Sequence, residues 1–130
     1  MLLFYAAHRS QSVEMLESII SKKLPVHQVM YCTAIEAVEK RLRRPRQDLE
    51  IILVSIQDAI EMAHLTHMRA LLLDMRLVLV LPRRDEATVA WAHKLGPRFI
   101  AYADNGLEQV EAVLDKMLGN IRPYKAIAGF

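Results

Sequence analysis

Glu50-Ile51-Ile52-Leu53-Val54-Ser55-Ile56-Gln57-Asp58 is the stretch whose reading decides the fold. Its apolar run is mostly β-branched, too short for an amphipathic helix, and lacks the polar alternation of a half-exposed strand. A run of this kind suits a strand buried on both faces, the position such strands occupy in a parallel sheet. The small polar Ser55 ends the run, and Asp58-Ala59-Ile60-Glu61 then opens a helix, with Asp58 placed to cap it. In open parallel sheets, ligands sit just past the C-terminal ends of the strands. Ser55 therefore marks where a site is expected.

Outward from this strand, the same alternation recurs. Leu2 to Ala7 reads as a first strand, followed by a polar break in which Ser10 or Ser12 can cap a helix. Val13, Leu16, Ile19 and Ile20 repeat at helical spacing, Lys22 and Lys23 suit the C-terminal end of the dipole, and Pro25 stops the helix. Val26 to Cys32 reads as a second strand, and Thr33-Ala34-Ile35-Glu36 as a capping box before a helix that turns Ile35, Val38 and Leu42 inward. Leu49 to Ile56 is the third strand, and its helix is expected to run to about Leu72. Arg76 to Leu81 is the fourth strand, closed by Pro82 and followed by a helix through Val89, Trp91 and Ala92 that ends at Gly96-Pro97. Phe99 to Tyr102 or Ala103 is the fifth. Asn105-Gly106-Leu107-Glu108 is a further capping sequence, and Leu107, Val110, Val113, Leu114, Met117 and Leu118 give the last helix its apolar stripe, with Gly119 as its stop.

Five strand-helix pairs at this spacing imply right-handed crossovers and a parallel sheet covered on both faces. The expected architecture is a flavodoxin-like three-layer α/β sandwich with strand order 2-1-3-4-5. The length of 130 residues fits one such domain, read as 1–119, with a C-terminal tail over 120–130.

Composition narrows the function classes. A formal net charge of +2 is too small to imply a nucleic-acid partner. The single cysteine, Cys32, can form neither an internal disulfide nor a zinc site alone, which favours a reducing compartment and a cytoplasmic protein. No apolar run approaches the roughly 20 residues of a membrane helix, and the apolar start reads as a strand rather than a signal peptide. Dinucleotide and P-loop signatures are missing.

In layout, Met1 to Gly119 resembles the receiver domains of bacterial response regulators. The nearest stretches are Val29 to Leu42, Glu50 to Ile56 and Leu77 to Leu114. Receivers carry an acidic pair after the first strand, a phosphoacceptor Asp after the third, a Thr or Ser after the fourth and a Lys after the fifth. The acids hold Mg²⁺, and the Thr and Lys respond to the new phosphoryl charge. Laid on this chain, the acidic pair falls at Ala6 and Ala7, the acceptor at Ser55, the hydroxyl at Pro82 and the lysine at Tyr102 or Ala103. A hard cation needs oxygen ligands, and phosphoryl transfer needs electrostatic stabilisation. The resemblance thus implies a pseudo-receiver: a non-catalytic two-component signalling module with no cofactor, working through protein partners that include a possible homodimer. In receivers the fourth helix, fifth strand and fifth helix form a common partner surface. That surface corresponds here to Trp91, Phe99, Tyr102, Leu107 and Val110.

Other side chains carry weaker signals. Asp58 could stand in as a displaced acceptor, but a helix cap explains it better. Ser55 has no base in its own segment to make it a nucleophile. His8 follows the first strand, a setting similar to the phosphoacceptor His in IIA domains of mannose-type sugar phosphotransferases, so phosphoacceptance at His8 is one alternative and a small-molecule-binding α/β domain another. His64 and His67 share a helix face but make only two ligands of the four a zinc site needs. Arg41, Arg43, Arg44 and Arg46 form a basic cluster flanked by Glu36, Glu39 and Asp48, a composition that suits a solvated helix end. Arg83 and Arg84 stand apart from it.

Overall fold

The structure is a computed structural model that describes residues 1–121. Five strands form one parallel sheet in the order β2-β1-β3-β4-β5. They are β1 (Leu2–Ala6), β2 (Val29–Cys32), β3 (Ile51–Ser55), β4 (Arg76–Leu81) and β5 (Phe99–Tyr102). The helices are α1 (Gln11–Lys23), α2 (Ile35–Leu42), α3 (Ala59–His67), the single turn α4 (Arg69–Leu72), α5 (Glu86–His93) and α6 (Glu108–Ile121). This is the flavodoxin-like arrangement expected from the sequence.

The period of two along each strand divides the core into two layers. Leu3, Tyr5, Ile52, Val54, Leu77 and Leu79 face one way and pack under α2 to α5. Leu2, Phe4, Ile51, Leu53, Val78 and Val80 face the other and pack under α1 and α6. All five residues of β3 are buried, which is why its sequence is apolar throughout rather than alternating. Each such Leu, Ile or Val contributes about 1.5–3 kcal/mol on leaving water.

Caps explain where most helices begin. Ser10 Oγ accepts the Val13 N–H at 3.2 Å, Asp58 Oδ1 accepts the Glu61 N–H at 2.8 Å, and Asp85 Oδ2 accepts the Thr88 N–H at 3.2 Å. Gly96 takes φ +67° after α5, the left-handed conformation expected at a helix end.

Five local expectations need correction. Val26 to Gln28 form a 3-10 turn instead of the start of β2; Val26 is solvent-exposed, so nothing draws it into the sheet. Thr33 does not cap α2: the helix begins one residue later, with Ala34 at the cap position and no side-chain bond there. The helix expected to reach Leu72 breaks at Met68, whose N–H turns back to several α3 carbonyls before α4 starts. Asn105 enters a bridge with Tyr102, Gly106 turns at φ +97°, and α6 starts only at Glu108. Gly119 does not end α6, which continues to Ile121; an intrinsically poor helix residue is tolerated when the helix is already anchored. Most of the tail, 122–130, lies outside the described residues.

Candidate functional site

Strand register places the candidate site residues. Ala6 lies opposite Ser55, and Ser55 lies opposite Val80, two residues before Pro82. Leu81 lies opposite Tyr102. The sheet thus brings Ala6, Ala7, Ser55, Pro82 and Tyr102 to one edge, at the C-terminal ends of four adjacent strands. Ser55 is only 3% exposed, and the Ile56 N–H that follows it donates to the Val80 carbonyl at 2.9 Å. The edge carries two alanines, a buried serine, a proline and a phenol. Arg84 lies over the Tyr102 ring, 5.8 Å from its centroid, so a positive charge reaches this corner from the β4–α5 loop rather than from β5.

The polar group that organises this edge is Glu61, whose sequence context marks it only as part of a capping box. Glu61 is buried in the first turn of α3. Its Oε2 accepts the Tyr5 hydroxyl at 2.5 Å, and its Oε1 accepts the Gln57 N–H at 2.8 Å. The carboxylate therefore ties β1 to the loop leaving β3. Burial, reinforced by the Glu61 hydrogen bond, pushes the Tyr5 phenol well above its ordinary range and holds it protonated. The box is not reciprocal: Asp58 caps the Glu61 N–H, while the Glu61 side chain reaches Gln57 instead of the Asp58 N–H.

Beside this edge, between α3 and α5, lies a cavity of about 440 Å³. Ile56 and Pro82 floor it at the ends of β3 and β4. Ala59, Met62 and Ala63 form the α3 wall, and Thr88 and Trp91 the α5 wall. Asp58, Asp85 and Arg83 stand around it. The two small alanines one helical turn apart recess the α3 wall and make the space.

The remaining candidates are spread over the surface. His8 is exposed in the β1–α1 loop. His64 and His67 are exposed on the last turns of α3, and among the described residues no three His, Cys, Asp or Glu side chains gather as a metal site. Cys32 is buried, and burial pushes its thiol up, away from the reactive thiolate.

The arginine cluster is largely internal bracing. Arg41 is buried and donates to the Pro45 carbonyl at 3.1 Å and to Asp48 at 2.7 Å. Its hydrogen bond holds the Asp48 carboxyl below the usual carboxylate range. Arg46 donates to the Leu71 carbonyl at 2.5 Å and lies 3.6 Å from Asp74, and Arg43 pairs with Glu39.

The expected interface divides in two. Trp91 is 47% exposed, and Phe99 and Tyr102 are half-buried. Leu107 and Val110 are buried in the layer beneath α6, Leu107 just before the helix and Val110 on its inward side, so neither is exposed in the single chain. Lys94 lies over the Trp91 ring at 4.3 Å, which covers part of the indole without burying it.

The fold has a counterpart among solved structures. A crystal structure from Burkholderia pseudomallei K96243, of a protein provisionally described as pilus assembly-related, superposes with a TM-score of 0.66 over 90% of this chain and 88% of that one. The two sequences are 13% identical, a likeness that speaks for the shared fold alone. No protein-family pattern matches the chain. No curated protein matches it by sequence either.

Proposed function

We propose that this chain is a receiver-type regulatory module that does not take a phosphoryl group and acts through contacts with other proteins, a second copy of itself among them. The observation that carries this reading is the composition of the strand edge. The sheet register aligns Ala6 with Ser55 and brings Pro82 and Tyr102 alongside. A receiver has its metal-binding acids, acceptor, hydroxyl and lysine at these positions. Here the two alanines offer no side-chain oxygen for a hard cation, and Ser55 is buried and lacks a carboxylate's charge. Asp58 does not stand at the acceptor position: it lies three residues past Ser55, where one of its carboxylate oxygens caps α3.

Exposed Trp91 on α5 supports action by contact, because aromatic residues anchor interfaces. The structural neighbour's provisional link to pilus assembly adds a setting to the proposal: a regulatory part of a multi-protein assembly. The test is intact-mass measurement after incubation with acetyl phosphate and Mg²⁺. An unchanged mass is expected. A gain of one phosphoryl group, at His8 or at an acid near Ser55, overturns the reading.

A further inference from the structure

The geometry points to the α3–α5 groove as a docking site for a peptide segment of a protein partner, one that carries a large apolar side chain flanked by lysine or arginine. Its volume of about 440 Å³ falls within the roughly 300–1,000 Å³ of ligand-sized clefts. The floor and walls supplied by Ile56, Met62, Pro82 and Trp91 are apolar, which selects an apolar anchor. The helix that walls the groove also presents an apolar side chain to solvent. Ile60, in the first turn of α3 beside Ala59, is 71% exposed. Exposed apolar area on a helix that also walls a pocket suits a chain lying along the helices better than a compact molecule held between them.

Charge selects the flanks. Asp58 and Asp85 line the groove together with Arg83, and the nearby Lys94 is held over the Trp91 ring. Each carboxylate spends one oxygen on its helix cap: Asp58 Oδ1 on the Glu61 N–H, and Asp85 Oδ2 on the N–H and hydroxyl of Thr88. The second oxygen of each carries none of the hydrogen bonds or ion pairs found among the described residues. Both side chains are exposed, and the caps hold them in fixed orientation. They can therefore receive a cation without first losing conformational freedom. A lysine or arginine beside the apolar anchor supplies that cation, and an acidic flank is repelled.

This inference rests on the protein-contact reading for its choice of a peptide occupant, and it fails separately. Phosphoryl incorporation sinks that reading whatever binds in the groove, while loss of peptide binding sinks the groove alone. The experiment uses the full chain, with Trp91, its single tryptophan, as fluorescent reporter. The probes are tryptophan-free, twelve-residue amphipathic peptides with one Leu/Phe pattern, flanked by Lys in one and by Glu in the other. The Lys peptide is expected to shift Trp91 emission saturably and to bind at least tenfold more tightly than the Glu peptide.

The double variant Asp58→Asn, Asp85→Asn removes the charge but keeps side chains that cap helices well. It is expected to weaken Lys-peptide binding at least fivefold. Ala63→Phe fills the groove and is expected to abolish binding. Amide chemical-shift mapping on the parent protein gives the same answer without any variant: the shifts must cluster at Ala59, Ala63 and Thr88. The proposal is overturned by absence of Lys-peptide binding at millimolar concentration, by equal binding of the Glu peptide, or by shifts that map elsewhere. A co-purified small molecule that Ala63→Phe expels, seen by native mass spectrometry, overturns it as well.

Discussion

The Tyr5 hydroxyl donates a 2.5 Å hydrogen bond to the Glu61 carboxylate, and both side chains are buried. Fifty-six residues separate them in the chain, yet they join the first strand to the first turn of α3. Because the other Glu61 oxygen holds the Gln57 N–H, one carboxylate fixes the loop that leaves β3. A carboxylate out of water is tolerable only when its oxygens find donors.

Tyr5→Phe is therefore expected to destabilise the fold by about 1–3 kcal/mol, the usual penalty for stripping a partner from a buried polar group. Glu61→Gln is expected to cost less. Its amide oxygen can still accept from Gln57, and its NH₂ can donate to the phenolic oxygen. Urea unfolding measures both, with a lower midpoint and an unchanged slope. A Tyr5→Phe protein as stable as its parent would show that this contact contributes nothing.

The same pair sets an alkaline limit. Burial first, and the Glu61 hydrogen bond second, raise the Tyr5 pKa above that of an unfolded tyrosine, which is about 10. The folded state therefore keeps a proton that the unfolded state releases. The associated stability is fully present below about pH 10 and declines as pH rises beyond it. Unfolding midpoints from pH 8 to 11.5 are expected to fall at the alkaline end, and more gently in Tyr5→Phe. The Tyr31 phenol is also raised, chiefly by burial, so some decline must persist in the variant. Parallel curves for the two proteins would remove Tyr5 as the source.

What the sequence made legible was set by local chemistry. The all-apolar run Ile51 to Val54 announces a strand buried on both faces, and Asp58 announces a cap within three residues of its target. The strand order is that of the flavodoxin-like arrangement, which five strand-helix pairs suit. The alanines and proline at the sheet edge could be placed because each ends or directly follows its own strand. Features that depend on distant partners stayed hidden. Nothing near Glu61 marks Tyr5 as its donor. The groove is hidden for the same reason, since Ala59 and Ala63 make space only once α5 stands opposite. Arg41 looks like one of several surface arginines until the Pro45 carbonyl and Asp48 fold back onto it. Thr33 misled because a capping motif competes with where the preceding strand ends, and the helix started one residue later.

Val110 and Trp91 separate core from contact surface most sharply. Val110 is fully buried in the α6 layer, whereas Trp91 on α5 is 47% exposed with Lys94 over its ring. Val110→Ala removes two buried carbons and leaves a void, so a loss of about 2 kcal/mol is expected, with no change in solution mass at any concentration where the protein remains folded. Trp91→Ala should do the reverse. It gives up a half-exposed ring whose cation–π contact is worth roughly 0.5–1 kcal/mol at an exposed site, so stability falls only slightly. If α5 contributes to self-association, light scattering on the parent protein shows a concentration-dependent rise toward dimer mass that Trp91→Ala abolishes. A parent that stays monomeric across that range, with Trp91→Ala identical to it, removes the second copy from the set of partners and leaves α5 to other proteins.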